Sequence, residues 1–286
     1  EPQMTPDGNR IWLRTSKVPL RLADGETIGI LGIYDDITEV KLAEERLKRA
    51  NRTLRTLSAA IVALVQANRE EELLRQVVQV VAREGGYPLA VVGYAEEDPQ
   101  RTLTPKAWSD FDGGNYWAGQ LTWGDSDTGL LPIAKAIRSG LTQICRDIAQ
   151  DPAFAPWREA ALARGYVSNI GLPLSDGQRV FGGLSIYASD VKAFDDEEEV
   201  RLLEELAHQL AYGIANLRTL REHERHARLL QDSLEQSIQM IAGTVESRDP
   251  YTAGHQRRVA HLAAAMAREM GLPEDQVTGI HLASII

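Results

Sequence analysis

The chain has 286 residues, 43% of them hydrophobic and 25% charged, which is ordinary for soluble globular protein and long enough for about two domains. A formal net charge of -10 argues against general binding to nucleic acid, which favours a basic face. The single cysteine, Cys145, excludes an internal disulfide framework and a cysteine-rich zinc site, and suits a reducing cytoplasm.

Residues 10–37 carry the pattern of two strands. Ile11, Leu13, Val18, Leu20 and Leu22 alternate with interruptions, Asp24-Gly25 supplies a tight turn, and an apolar run from Ile28 to Tyr34 follows. A lone hairpin is marginal in water, so a larger sheet is expected around it. From Asp36 the period changes, with Thr38 placed to cap a helix and Glu39 at its start. Val40, Leu47, Leu54 and Ile61 recur every seven residues, and Ala43, Ala50, Leu57 and Leu64 follow three residues after each. Two readings fit that stripe. One is a helix packed on its own domain. The other, favoured by the regular repeat, is a parallel dimer. There six large apolar residues, each worth up to about 1.5–3 kcal/mol when buried, offset an association cost of about 4–15 kcal/mol.

Residues 66–194 alternate helix and strand signals. Glu71 to Arg83 reads as a helix with Leu73, Leu74, Val77, Val78 and Val81 on one side, stopped by Gly85-Gly86, and Leu89 to Tyr94 reads as a strand. A polar stretch bearing Trp108, Trp117 and Trp123 follows. A short helix over 132–139 ends at Gly140, a strand lies around Ile144, and a helix over 154–164 ends at Gly165. Strands at 168–174 and 180–187 flank a turn at Asp176-Gly177. From Asp195 a long helix carries Leu203, Ala207, Leu210, Ile214 and Leu217. Its stripe then shifts by three residues to Leu220, Ala227, Leu234 and Ile241, an offset that would rewind a coiled coil locally. The chain turns at Asp249-Pro250, and helices follow from about Thr252 to Met270 and after Pro273.

Three segments resemble known families. Residues 5–47, with the Asp36-Ile37-Thr38 exit into a helix, look like the C-terminal part of a PAS domain. The PAS half that supplies most of a ligand pocket is not in the sequence, so no cofactor is assigned. Residues 55–216 resemble a GAF domain, on GGYPLAVVGYAE at 85–96, VSNIGLPLSDGQRVFGGLSIYA at 167–188 and FDDEEEVRLLEELAHQLAYGI at 194–214. That likeness implies a six-stranded antiparallel sheet with a small-molecule pocket over one face, its ligand unknown. Tyr94, Trp108 and Trp123 are the candidate pocket contacts, with structural packing the ordinary alternative for such aromatics. Cys145 precedes Arg146 rather than the histidine that neighbours a bilin attachment site, so a buried, inert thiol is expected.

Residues 236–286 resemble the beginning of an HD-GYP domain, the phosphodiesterase class acting on cyclic di-GMP, through RDPYTAGHQRRVA at 248–260. The likeness makes His255 a metal ligand, part of a divalent pair of Fe or Mn in the complete domain. Tyr251, four residues earlier, favours a two-metal over a three-metal centre. Arg258, Val259, Leu262 and Met266 share a helical face with His255, which is expected to point inward. His261, His281, His223 and His226 are expected to be solvated. The family's His-Asp dyad directly follows an apolar run, here Leu282 to Ile286. It is therefore expected at the next two positions, and the residues given hold no catalytic group.

The expected fold is α+β. Residues 1–38 form a PAS C-terminal hairpin, 39–56 a coiled-coil linker, 57–216 the GAF domain, 217–235 a linker helix, and 236–286 the start of an all-α HD-type domain. The expected function is a sensory segment of a cyclic di-GMP phosphodiesterase. The alternative is a non-catalytic dimerising scaffold with a degenerate output domain. A homodimer through helices 39–64 and 200–245, a small-molecule ligand at the GAF domain and no nucleic acid are the expected partners. No apolar run approaches the ~18 residues that span a bilayer, so no membrane contact is expected within this segment.

Overall fold

The structure is a computed structural model that describes every residue except 1, 5, 6, 8, 9, 24, 110–120, 249–253 and 286. The chain divides into two compact units, Glu1–Leu217 and Arg218–Ile286. The first unit begins with an antiparallel sheet of β1 (Pro2–Met4), β2 (Arg10–Arg21) and β3 (Thr27–Asp36), paired in that order. The strands expected at 10–37 are β2 and β3, and Gly25 takes φ +89° in the turn between them, a conformation open to glycine. Strand β1 is too short to show a period. Asp24 of the expected turn lies outside the described residues.

Helix α1 (Thr38–Gln66) starts one residue earlier than a Thr38 cap implies, because Ile37 takes the cap position. Thr38 fastens the sheet instead. Its hydroxyl accepts from the Trp12 amide at 2.8 Å and donates to Oδ1 of Asp36 at 2.6 Å, and the same oxygen accepts from the Thr38 amide at 2.9 Å. These bonds hold the Asp36 carboxyl below the usual carboxylate range.

The heptad stripe of α1 is split between two surfaces. Thr53, Thr56, Ala60 and Ala63 are buried on the helix's own domain, with Leu57 and Leu64 partly buried against the same core. Val40, Leu47, Leu54 and Ile61 are exposed. Small residues let α1 lie close to its neighbours, and this places the larger residues of the stripe at the margin or outside.

Helix α2 (Glu70–Arg83) opens with three glutamates at its N-terminus, where negative charge is favoured, and buries Leu73, Leu74, Val77, Val78 and Val81. A five-stranded antiparallel sheet follows, made of β4 (Leu89–Ala95), β5 (Leu103–Trp108), β6 (Gln143–Cys145), β7 (Ser168–Ser175) and β8 (Val180–Ala188). The strand order is β5-β4-β8-β7-β6, five strands among the described residues where the family resemblance implies six. Strand β5 is hidden in the sequence because Pro105 interrupts it. It is tolerated at a sheet edge, beside a register shift at Val92/Gly93.

One face of this sheet packs α1, α2 and the first part of α5 (Glu197–Arg248). Val92, Ile170, Leu172, Leu184 and Ile186 meet Val77, Val78, Leu203, Leu206, Leu210 and Ile214 in one core. Each such side chain contributes about 1.5–3 kcal/mol on burial. The other face carries Leu89, Val91, Cys145 and Tyr187 beneath α3 (Pro132–Ser139) and the segment 152–163. That segment is a 3-10 turn, Pro152–Phe154, and then α4 (Arg158–Ala163), not the single helix expected over 154–164. Pro156 lacks the N–H that would join them. Helix α3 sits directly on Gly171, where an added Cβ would collide with the backbone of Pro132 and Ile133.

In the second unit, the remainder of α5 is accompanied by α6 (His255–Glu269) and α7 (Glu274–Ala283). Ala260 and Ile285 pack with Ile238, and Ala264, Ala267 and Val277 pack with Leu272 and Ile280. The face expected to point inward is therefore outside: His255, Val259, Leu262 and Met266 are exposed. The alanines decide this, since their small side chains allow the closest approach of α6 to its neighbours. Helix α5 runs unbroken through the phase offset at Leu217–Leu220, and Leu220, Leu234 and Ile241 are exposed. Asp249, Pro250 and Thr252 lie outside the described residues. No helix among the described residues is long and apolar enough to cross a membrane.

Candidate functional site

Side chains alternate along β4, and the alternation separates the three aromatics expected at one pocket. Leu89 and Val91 belong to the core under α3 and α4, whereas Ala90, Val92 and Tyr94 belong to the core under α1, α2 and α5. Tyr94 is buried there, its hydroxyl donating to Oε1 of Glu70 at 2.7 Å and its ring meeting Phe181 edge-on at 5.7 Å. It is a packing residue on the face opposite the one beneath α3 and α4. Trp108 pairs with Val91 and so lies on the side of α3 and α4, 43% exposed at the end of the edge strand. Trp123 packs against the same core, its indole Nε1 donating to the Glu96 carbonyl at 3.0 Å and the Arg101 guanidinium lying 5.1 Å from its ring. Trp117 lies outside the described residues.

The pocket-side face has a chemistry of its own. Leu89, Tyr187, Asn169 and Cys145 stand in one row across four strands. Tyr166 lies 5.3 Å from Tyr187, and Phe154 meets Tyr187 edge-on at 6.3 Å. Asn169 is only 1% exposed, and its Nδ2 donates to Oγ of Ser185 at 2.8 Å and to the Ile186 carbonyl at 3.0 Å. With both amide protons engaged, the carbonyl orientation is fixed, yet Oδ1 is buried without a hydrogen-bond partner. Oδ1 of Asn169 is therefore an acceptor left over inside a packed aromatic core. Burial, and then Asp151, push the Cys145 thiol up to about 12, and the thiol is buried as expected. Asn169 and Ser185 were legible in principle: both are polar residues in strands whose two faces are covered.

In the second unit, Gly254 adopts φ +79° and His255 opens α6, exposed to solvent. Among the described residues no three His, Cys, Asp or Glu side chains converge as metal ligands. His255 by itself cannot hold a divalent metal pair. His223 and His226 are exposed as expected. His281 is not solvated as expected, since its Nδ1 is buried without a partner and its ring lies 5.3 Å from that of His261. Tyr251 lies outside the described residues.

A family model described as the GAF domain matches residues 67–215, just over half of the chain. The chain belongs to the GAF domain family. Among solved structures, the GAF domain of a phosphoenolpyruvate-protein phosphotransferase from Coxiella burnetii is 20% identical. It covers 60% of this chain and 98% of its own, with a TM-score of 0.49. Free methionine-R-sulfoxide reductase from Neisseria meningitidis, solved with its substrate, is 19% identical and covers 60% of this chain and 93% of its own, with a TM-score of 0.49. The GAF domain of an Acinetobacter phosphoenolpyruvate-protein phosphotransferase is 16% identical, covers 59% and 97%, and has a TM-score of 0.47. No curated protein matches the chain. The GAF domain thus occupies most of the first unit, a sensory, ligand-binding module of signalling proteins.

Proposed function

We propose that the chain is the sensory and regulatory segment of a cytoplasmic cyclic di-GMP phosphodiesterase. The GAF domain binds a small molecule on the sheet face that carries Asn169, Trp108 and Trp123, with Oδ1 of Asn169 accepting one hydrogen bond from it. The observation that carries this reading is the division of the sheet. One face holds an orphaned acceptor in an aromatic setting, and the other holds α1 and α5, the helices that precede and follow the domain. A ligand-induced shift on the first face reaches the second through a single layer of strands.

In this reading residues 1–38 close a PAS domain and residues 236–286 open an HD-GYP output domain. There His255, together with the family's other ligands, would hold a pair of Fe or Mn ions. The sequence RDPYTAGHQRRVA supports that assignment. The exposed row Val40, Leu47, Leu54 and Ile61 supports a homodimer, but not a simple two-stranded coil, because the d-position residues Leu57 and Leu64 pack on their own domain. Each α1 meets its partner through the a-position row alone. The phosphodiesterase reading is tested by assaying cyclic di-GMP hydrolysis of the full-length protein with Mn2+. The expected result is hydrolysis that His255→Ala abolishes; a full-length protein without hydrolysis overturns it.

A further inference from the structure

Three residues from separate segments meet where α1 passes the start of α5. Glu199, in the first turn of α5, is 2% exposed. Its Oε1 accepts from the Tyr87 hydroxyl at 2.7 Å and from Nη2 of Arg52, on α1, at 3.1 Å. The Arg52 guanidinium lies over the Tyr87 ring at 5.2 Å, and that ring stacks on Phe194, in the segment leading into α5, at 6.1 Å. Tyr87 is thus held between the two helices, two residues before the central strand β4. Gly86, at φ +65°, makes the turn that delivers it.

The grip is incomplete. Oε2 of Glu199 and Nε of Arg52 are both buried without a hydrogen-bond partner. A guanidinium can take a carboxylate with two parallel bonds, and a bidentate grip through Nε and Nη2 would satisfy both orphaned atoms. Reaching it turns the Arg52 guanidinium against Glu199, in the ion pair that ties α1 to the start of α5, and loosens the share of Oε1 held by Tyr87.

We propose that Arg52, Tyr87 and Glu199 form a two-position clasp through which the central strand of the GAF sheet sets the pairing of α1 with α5. The clasp acts whatever ligand the opposite face takes. Strand β4 is its input, since Leu89 and Val91 face the pocket side and Tyr87 precedes them.

Hydrogen exchange of the intact chain tests this with Val91→Ala as a disturbance on the pocket side. In the wild-type background V91A is expected to raise exchange in α1 around residues 44–56 by about tenfold. The Arg52→Leu/Glu199→Leu pair replaces the clasp by apolar groups, an exchange that buried ion pairs often tolerate. In that background V91A is expected to raise exchange in β4 as before and leave α1 unchanged. Should the double variant fail to fold, Tyr87→Phe, which keeps the ring and drops only the hydroxyl, is expected to weaken the transmission to α1. An α1 response to V91A that is equal with and without the clasp, or absent in both, overturns the proposal.

Discussion

Asn169 and Cys145 stand side by side on the face beneath α3 and α4, and burial acts on them differently. The amide is left with an unpartnered acceptor, while the thiol is shielded and held protonated. Cys145 is therefore expected to resist a thiol-reactive disulfide reagent at pH 8 in the folded chain and to react fully in denaturant. Labelling of the native protein at the rate of a free thiol contradicts this. Tyr87 shares the second half of that behaviour: burial, and then Glu199, raise its phenol above the ordinary range. Both groups keep protons in the folded state that the unfolded chain releases near their ordinary values of 9.0 and 10.0. Their stabilising effect is fully present below about pH 9 and declines as the pH rises toward the folded values. Urea midpoints measured from pH 8 to 11 are expected to fall, and Cys145→Ser with Tyr87→Phe is expected to flatten the fall.

Among the elements, α3 and α1 show how small residues place larger ones. Gly171 lets α3 rest on β7, so Gly171→Ala is expected to destabilise the GAF domain by about 1–3 kcal/mol, read from the urea midpoint. A neutral result would mean that α3 can lift without loss. On α1 the seven-residue repeat was plain in the sequence, but its division was not, because periodicity gives spacing and not the neighbour that claims each row. Leu54→Lys with Ile61→Lys is expected to leave the domain folded and convert a dimer to a monomer in light scattering. Pro105 hides strand β5 from the periodicity, and Pro156 splits the single helix that the pattern over 154–164 suggests. As an aromatic on a central strand, Tyr94 reads in the sequence as a pocket residue. The strand's alternation, counted from Val91, assigns it to the other face.

At the scale of the whole molecule, the GAF domain was legible because its strands carry long apolar runs bounded by glycine turns, as at Gly85-Gly86 and Asp176-Gly177. The second unit was less so. The large apolar residues of α6 suggest an inward face, yet its alanines make the contacts, since a repeat of large residues does not say which partner is present. What joins the parts is α5, which carries a buried row to Leu217 and an exposed row from Leu220. In the proposed function, a signal passed along it depends on that offset. Deleting Arg218, Thr219 and Leu220 brings Ala227, Leu234 and Ile241 into the seven-residue series of Leu203, Leu210 and Leu217. The rate of cyclic di-GMP hydrolysis by the full-length protein, with and without this deletion, tests the account most directly. A rate changed several-fold by the deletion is expected; an unchanged rate, or no hydrolysis by either protein, contradicts it.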